Sequence, residues 1–189
     1  ALSDPEFLNF DEVGTLEAFN SDGLRTLAET LTAPNMKEKT LRYPGHIDKM
    51  RVLRESGFFS QDEVDVNGIK IKPIDFTSKL LFPMWELKEG DEEFTVMKII
   101  VEGEKDKKKI RYTYNLLDRH DKKTNIHSMA RTTGYTATTM VRLLAKGMFD
   151  QKGICPPEYI GQKPECVDFV LNELKEKGID KHTTMITET

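Results

Sequence analysis

Three polar clusters in this chain have residue types and spacings that can do chemistry. Asn20-Ser21-Asp22 stands where an alternating segment stops and a helical one begins, so its side chains and free amides suit the carboxylate or amine of a small ligand. As a plain helix cap the same residues need no ligand. Thr40-Leu41-Arg42-Tyr43-Pro44-Gly45-His46 sets a planar cation, a phenol and an imidazole at a strand-to-helix corner, which suits gripping carboxylates. Arg42 could equally pair with Glu38 or Asp48. Arg131-Thr132-Thr133-Gly134-Tyr135 repeats the theme at an expected helix entrance, where Gly134 lets backbone approach closely and capping is the simpler role.

Other chemistries lack their residues. No two glycines stand two positions apart, so neither a dinucleotide fingerprint nor a phosphate-cradling loop can be written, and no cofactor site is expected in this chain. His46, His120, His127 and His182, with Cys155 and Cys166, show none of the pair spacings of metal ligands, and no metal is expected. There is no Gly-x-Ser-x-Gly elbow, and neither cysteine has neighbours that would activate a thiolate.

The elements that must position these clusters follow from periodicity. Thr15 to Phe19 alternates as a half-buried strand, and Leu24, Leu27, Ala28 and Leu31 recur at helical spacing until Pro34. Lys37 to Tyr43 is extended. His46 opens a helix that Gly57 ends, Asn67-Gly68 marks a tight hairpin, and Pro73 starts a helix that closes near Trp85. Phe94 to Glu102 and Ile110 to Leu117 form a hairpin with a charged tip, and Asn125 to Met129 is expected as a third strand beside it. A helix through Tyr135 to Ala145, a rigid loop from Gly153 to Gly161, and a helix from Pro164 to Gly178 follow, with Ile179 to Thr189 as strand or frayed tail. The expected class is α+β, a mixed and largely antiparallel sheet with helices packed on one face.

Composition sets the outer limits. A chain of 189 residues makes one ordinary domain or two small ones. As one compact body it would keep about 9,200 Å² of accessible surface. With 28 basic and 32 acidic residues and a net charge of -4, it has no general attraction for nucleic acid or anionic lipid. No apolar run approaches the roughly 20 residues of a membrane span. Two cysteines in a core of this size read as reduced thiols, and the start at Ala1 lacks a secretory signal, so a cytoplasmic setting is expected. That start, acidic and without methionine, suggests a piece of something longer.

Gly14-Thr15-Leu16-Glu17-Ala18-Phe19-Asn20-Ser21-Asp22-Gly23-Leu24 and Lys39-Thr40-Leu41-Arg42-Tyr43-Pro44-Gly45-His46 resemble the C-terminal domain of the saccharopine dehydrogenase and lysine 6-dehydrogenase family. The resemblance continues through Leu53 to Phe59, Thr133 to Ala137 and Ile154 to Glu158. It implies an oxidoreductase that uses NAD or NADP at a carbon-nitrogen bond in lysine metabolism, with a fold similar to the C-terminal domain of glyceraldehyde-3-phosphate dehydrogenase. It further implies a separate N-terminal Rossmann domain for the cofactor, with residues 1–189 binding substrate and pairing two subunits. The pairing is expected through the open face of the antiparallel sheet. By position, Asn20, Ser21 and Asp22 match the family's substrate-lining segment, and Arg42, Tyr43 and His46 match its corner. Saccharopine-forming members place an arginine within that segment, where the nearest equivalent here is Ser21, which removes a carboxylate clamp and makes a smaller amine such as lysine a plausible substrate. The alternative is a binding or oligomerisation module without catalysis.

Overall fold

A computed structural model describes residues 2–188 and, of the side chains after residue 180, those of Thr184 and Ile186. The class is α+β, as expected, but the strands form three separate antiparallel sheets instead of one. The chain divides into two compact units, Ala1–Lys88 and Glu89–Thr189.

In the first unit, β1 (Ser3–Phe10), β2 (Gly14–Asn20) and β3 (Lys39–Arg42) make a sheet in that order. β2 is its buried centre, with Leu16, Ala18 and Phe19 in the core beside Phe10 and Ile47. The expected helix after β2 shrinks to α1 (Leu27–Thr30), because Arg25 adopts a left-handed φ of 49° that breaks the helical path. Gly45 then leads into α2 (His46–Glu55), which Gly57 ends with φ 85°. β4 (Val64–Val66) and β5 (Ile69–Ile71) close on themselves through Asn67 and Gly68, whose φ values of 55° and 83° are those of the tight hairpin turn that the pair encodes. α3 (Pro73–Trp85) starts at its proline as the sequence indicates.

In the second unit, β6 (Phe94–Lys105) and β7 (Lys108–Arg119) form the long hairpin, turning at Asp106 and Lys107. The third strand of this sheet is β8 (Lys181–Glu188), paired antiparallel with β7, and not residues 125–129. That segment instead closes a tight loop. Asp121 accepts from the Lys123 amide and the Thr124 hydroxyl, Ile126 bridges back to Asp121, and Ser128 already begins α4 (Ser128–Ala145). α5 (Pro157–Gly161) occupies part of the expected rigid loop, and α6 (Pro164–Glu176) packs on α4 around buried Leu143, Phe149 and Cys166. Cys155 and Cys166 are free thiols.

The accessible surface is 14184 Å². Two separate compact units of this mass would keep only about 11,000 Å². The excess is partly apolar: Phe76, Leu80, Phe82, Met84 and Trp85 on α3, and Met97, Ile99, Ile100 and Val101 on β6, are all exposed. Among the described residues no helix is long and apolar enough to cross a membrane.

Candidate functional site

The alternation of β2 and β3 decides which expected site residues meet. Glu17 lies opposite Arg42 and Phe19 opposite Thr40, and the ladder runs on through the Ser21 amide to the Glu38 carbonyl at 3.3 Å. Glu17, Phe19 and Ser21 therefore share a face with Glu38, Thr40 and Arg42. Asn20 lies on the opposite face, paired across the ladder with Lys39. There its Nδ2 donates to Ser3 Oγ at 3.3 Å, while its Oδ1 is buried with no donor among the described residues. The structure thus separates Asn20 from Ser21, although the two are neighbours in sequence.

Ser21 does not cap a helix. Its hydroxyl donates to Glu38 Oε2, which also accepts the Gly23 amide at 3.0 Å, and Thr40 Oγ1 donates to Ser21 Oγ at 3.1 Å. Gly23 lets the carboxylate come this close: a Cβ there would stand 2.4 Å from the Glu38 carboxyl carbon, and the Glu38 side chain would have to swing away. Asp22 is exposed and lies 4.0 Å from Arg25. In the sequence Glu38 stands out only as a possible partner of Arg42, although the extended spacing of Lys37 to Tyr43 puts it in one row with Thr40 and Arg42.

At the other end of this face, the His46 ring stacks on Phe19 with centroids 5.9 Å apart and planes 10° from parallel. Buried Glu17 accepts the Ile47 amide at 3.0 Å, satisfying one of the free donors at the start of α2. Arg42 pairs with neither Glu38 nor Asp48; it is exposed and donates to the Leu41 carbonyl at 2.9 Å. Tyr43 is exposed as well. Lys37 and Lys39 are turned to the opposite face, where their contacts to Asp4 hold that carboxyl below its ordinary value and Lys39 also reaches Glu6 at 2.6 Å.

Burial holds His46 below its ordinary value of 6.5, and Arg42 adds to the effect against the opposing pull of Glu17. The unfolded chain therefore binds the proton more readily than the folded one. Stability from this group is fully present above about pH 6.5 and is lost as pH falls through the lower folded value. His46→Gln is expected to flatten the decline of the denaturation midpoint between pH 7 and 5. An unchanged slope would remove His46 as its source.

Arg131, Thr133, Gly134 and Tyr135 lie in the second unit and do not form a helix entrance. α4 begins at Ser128, so all four are within the helix, and Ser128, not Arg131, is at its start. The Ser128 amide is capped by the Glu93 carboxylate. Arg131 is buried and holds Asp118 and Asp121 while donating to the Lys177 carbonyl at 3.0 Å. Its guanidinium lies 5.8 Å from the Tyr135 ring centre, and Thr133 bonds back to the Met129 carbonyl. These are architectural contacts. Nearby, His120 Nδ1 and His127 Nδ1 meet at 3.1 Å, so one ring donates and the other accepts. Among the described residues no group of three or more histidine, cysteine or acidic side chains converges as a metal site requires.

The described sheets are all antiparallel, and the parallel βαβ turn that cradles a dinucleotide pyrophosphate is not among the described residues. Hollows of about 130 Å³ beside Glu93 and His120, and about 500 Å³ near the tip of the β6–β7 hairpin, both lie in the second unit. Neither is beside Asn20 or Arg42. What the first unit offers is a row of polar side chains, the Glu38 carboxylate, the Ser21 and Thr40 hydroxyls and the exposed Arg42 guanidinium, beside buried Phe19 on which His46 stacks. Comparison with known families gives that face its context, because residues 2–179 match the family described as "Saccharopine dehydrogenase C-terminal domain". The chain belongs to the saccharopine dehydrogenase C-terminal domain family, and so to a dehydrogenase-associated class of domain.

Proposed function

We propose that this chain is the substrate-binding and subunit-pairing part of a cytoplasmic NAD(P)-dependent amino-acid dehydrogenase that oxidises a carbon-nitrogen bond in lysine metabolism. The observation that carries the reading is the row Ser21, Thr40 and Arg42 on one face of β2 and β3, within a chain whose family is associated with dehydrogenases. In this role the chain holds and orients the amino acid, while a separate nucleotide domain supplies the cofactor. Orientation alone is a large catalytic contribution when two reactants must meet in one geometry. Arg42 offers a planar fork for a carboxylate, and Ser21 offers no cation. The face therefore suits lysine better than an amino acid with three carboxylates. The exposed apolar residues of β6 support pairing with a second copy.

The test is to follow backbone amide resonances of this chain while lysine, saccharopine and 2-oxoglutarate are added to millimolar concentration. Lysine should shift the signals of residues 38–46, and Arg42→Gln should weaken its binding about tenfold. Shifts confined to the second unit, or none at all, would count against the reading. A second reading, a pairing module without catalysis, is favoured by the exposed apolar side chains of β6. It predicts concentration-dependent dimers and no response to any of the three ligands.

A further inference from the structure

The turn that joins β7 to α4 has a histidine at each end, His120 just after the strand and His127 just before the helix. Between them Asp121 and Ile126 exchange backbone hydrogen bonds of 2.9 and 3.3 Å, which closes the turn into a loop. The two rings then meet edge to face, with Nδ1 atoms 3.1 Å apart and centroids 4.8 Å apart. Glu93, just before β6, fastens the same place: its carbonyl accepts the His120 amide at 2.9 Å, and its carboxylate accepts the Ser128 amide that opens α4. That carboxylate also lies 3.8 Å from His127 Nδ1.

Two Nδ1 atoms in hydrogen-bonding contact need one proton between them, so one neutral ring carries its proton on Nδ1 and the other on Nε2. A further proton can go to the free Nε2 of the donor ring without touching the bond. A proton on the acceptor Nδ1 sets two N–H groups face to face, and the bond is lost. The pair therefore holds with one added proton and breaks with two.

The surrounding charges decide what a broken pair does. Glu92 faces His120 but is bound to Lys122 at 2.7 Å, and Arg119 and Lys122 line the same small hollow. Asp118 and Asp121 are held by Arg131, and Asp121 also by the Lys123 amide and the Thr124 hydroxyl. The positive end of α4 lies at His127. Glu93 is then the carboxylate placed to answer a charge on His127, and it is already in use as the cap of α4. A charged His127 competes for it with the Ser128 amide, which has no partner inside the helix.

We propose that His120 and His127 form an acid-released latch on this loop, closed while the two rings share a proton and open, with the first turn of α4 loosened, when both are charged. His120 is half-buried and the His127 side chain is 40% exposed, so protons reach both from solvent. The latch lies in the second unit and stands independently of the substrate-binding reading.

Nuclear magnetic resonance on the nitrogen-labelled full chain tests it. At pH 8 the imidazole nitrogen resonances should show one of the two rings protonated on Nδ1. Histidines commonly charge between pH 8 and pH 5. Over that range the protection of the Asp121, Ile126 and Ser128 amides against hydrogen exchange, corrected for the intrinsic rate at each pH, should fall about tenfold or more, while amides in the middle of α6 keep theirs. His120→Gln supplies an amide oxygen that accepts from His127 Nδ1 whether or not that ring is charged, so the Asp121 and Ile126 amides should stay protected down to pH 5. His120→Phe keeps a ring but offers no acceptor, and the loop should be open already at pH 8. The latch is overturned if neither ring is protonated on Nδ1 at pH 8, if protection in the unsubstituted chain is the same at both ends of the range, or if His120→Gln loses it as the unsubstituted chain does. An equal loss in α6 would mean that the whole unit unfolds, and would overturn it as well.

Discussion

Arg131→Ala is expected to lower the unfolding free energy by about 3–5 kcal/mol, read as the denaturant midpoint at constant slope. The size follows from what is left behind. Arg131 and Asp118 have side-chain exposures of 9% and 4%, so removing the cation strands a carboxylate that water cannot reach. The guanidinium meets Asp118 through Nε at 3.2 Å and Nη2 at 3.2 Å, Asp121 through Nη1 at 3.4 Å, and the Lys177 carbonyl through Nη2 at 3.0 Å. One side chain on α4 thereby ties together the end of β7, the loop after it and the end of α6. Arg131→Lys should recover little, because an ammonium cannot reproduce a planar fork with that many directed donors. Replacing the pair together, as Arg131→Met with Asp118→Leu, should lose less than Arg131→Ala, since no charge is stranded. A loss below about 1 kcal/mol for Arg131→Ala would mean that water reaches Asp118 and that the contacts at its far end matter little.

This residue also shows how far the sequence could be read. Its type suggested a carboxylate grip, and the structure supplies one, but the carboxylates belong to Asp118 and Asp121 and not to a ligand. Nothing local separates these alternatives, because the partners come from another element and from a loop 10 to 13 residues away. The start of α4 was obscured for a related reason. Gly134 looks like a helix opener and the threonines after it like caps, yet Thr132, Thr136 and Thr138 bond back to the carbonyls of Ser128, Thr132 and Gly134, as threonines do inside a helix. Signals held within a few residues survived: the Asn67-Gly68 turn, Pro73 opening α3, Gly57 ending α2 and the long β6–β7 hairpin are all where their chemistry puts them. The strand-to-helix turn between Arg42 and His46 was likewise legible, and the extended run from Lys37 already put Glu38 in line with Thr40 and Arg42, whereas nothing local showed that Ser21 and Gly23 would meet its carboxylate. β8 was open to two readings because a polar tail pairs or frays according to whether β7 leaves it a free edge.

Leu143→Ala should cost about 2–5 kcal/mol, the second large loss expected in this chain. Leu143 is fully buried on α4 and forms one core cluster with Phe149 and Cys166, bordered by Met148, Tyr159, Ile160, Phe169 and Val170. These neighbours come from the loop after α4, from α5 and from α6, so the cavity would open where three helices meet. A core this small has few other contacts with which to compensate, which places the expected value in the upper half of the range. Relaxation is the opposing possibility, because Met148 is unbranched and can swing into the space. Leu143→Met separates the two: a tightly shaped site should lose up to about 1.5 kcal/mol on a swap of similar volume, and an adaptable one almost nothing. Val141 on the same helix is the control, since it is 66% exposed and Val141→Ala should change the midpoint by less than about 0.5 kcal/mol. If Leu143→Ala and Val141→Ala gave equal losses, the junction of α4 with α6 would not be the core of this unit, and the exposed apolar side chains of β6 would become the better candidates for what holds it folded.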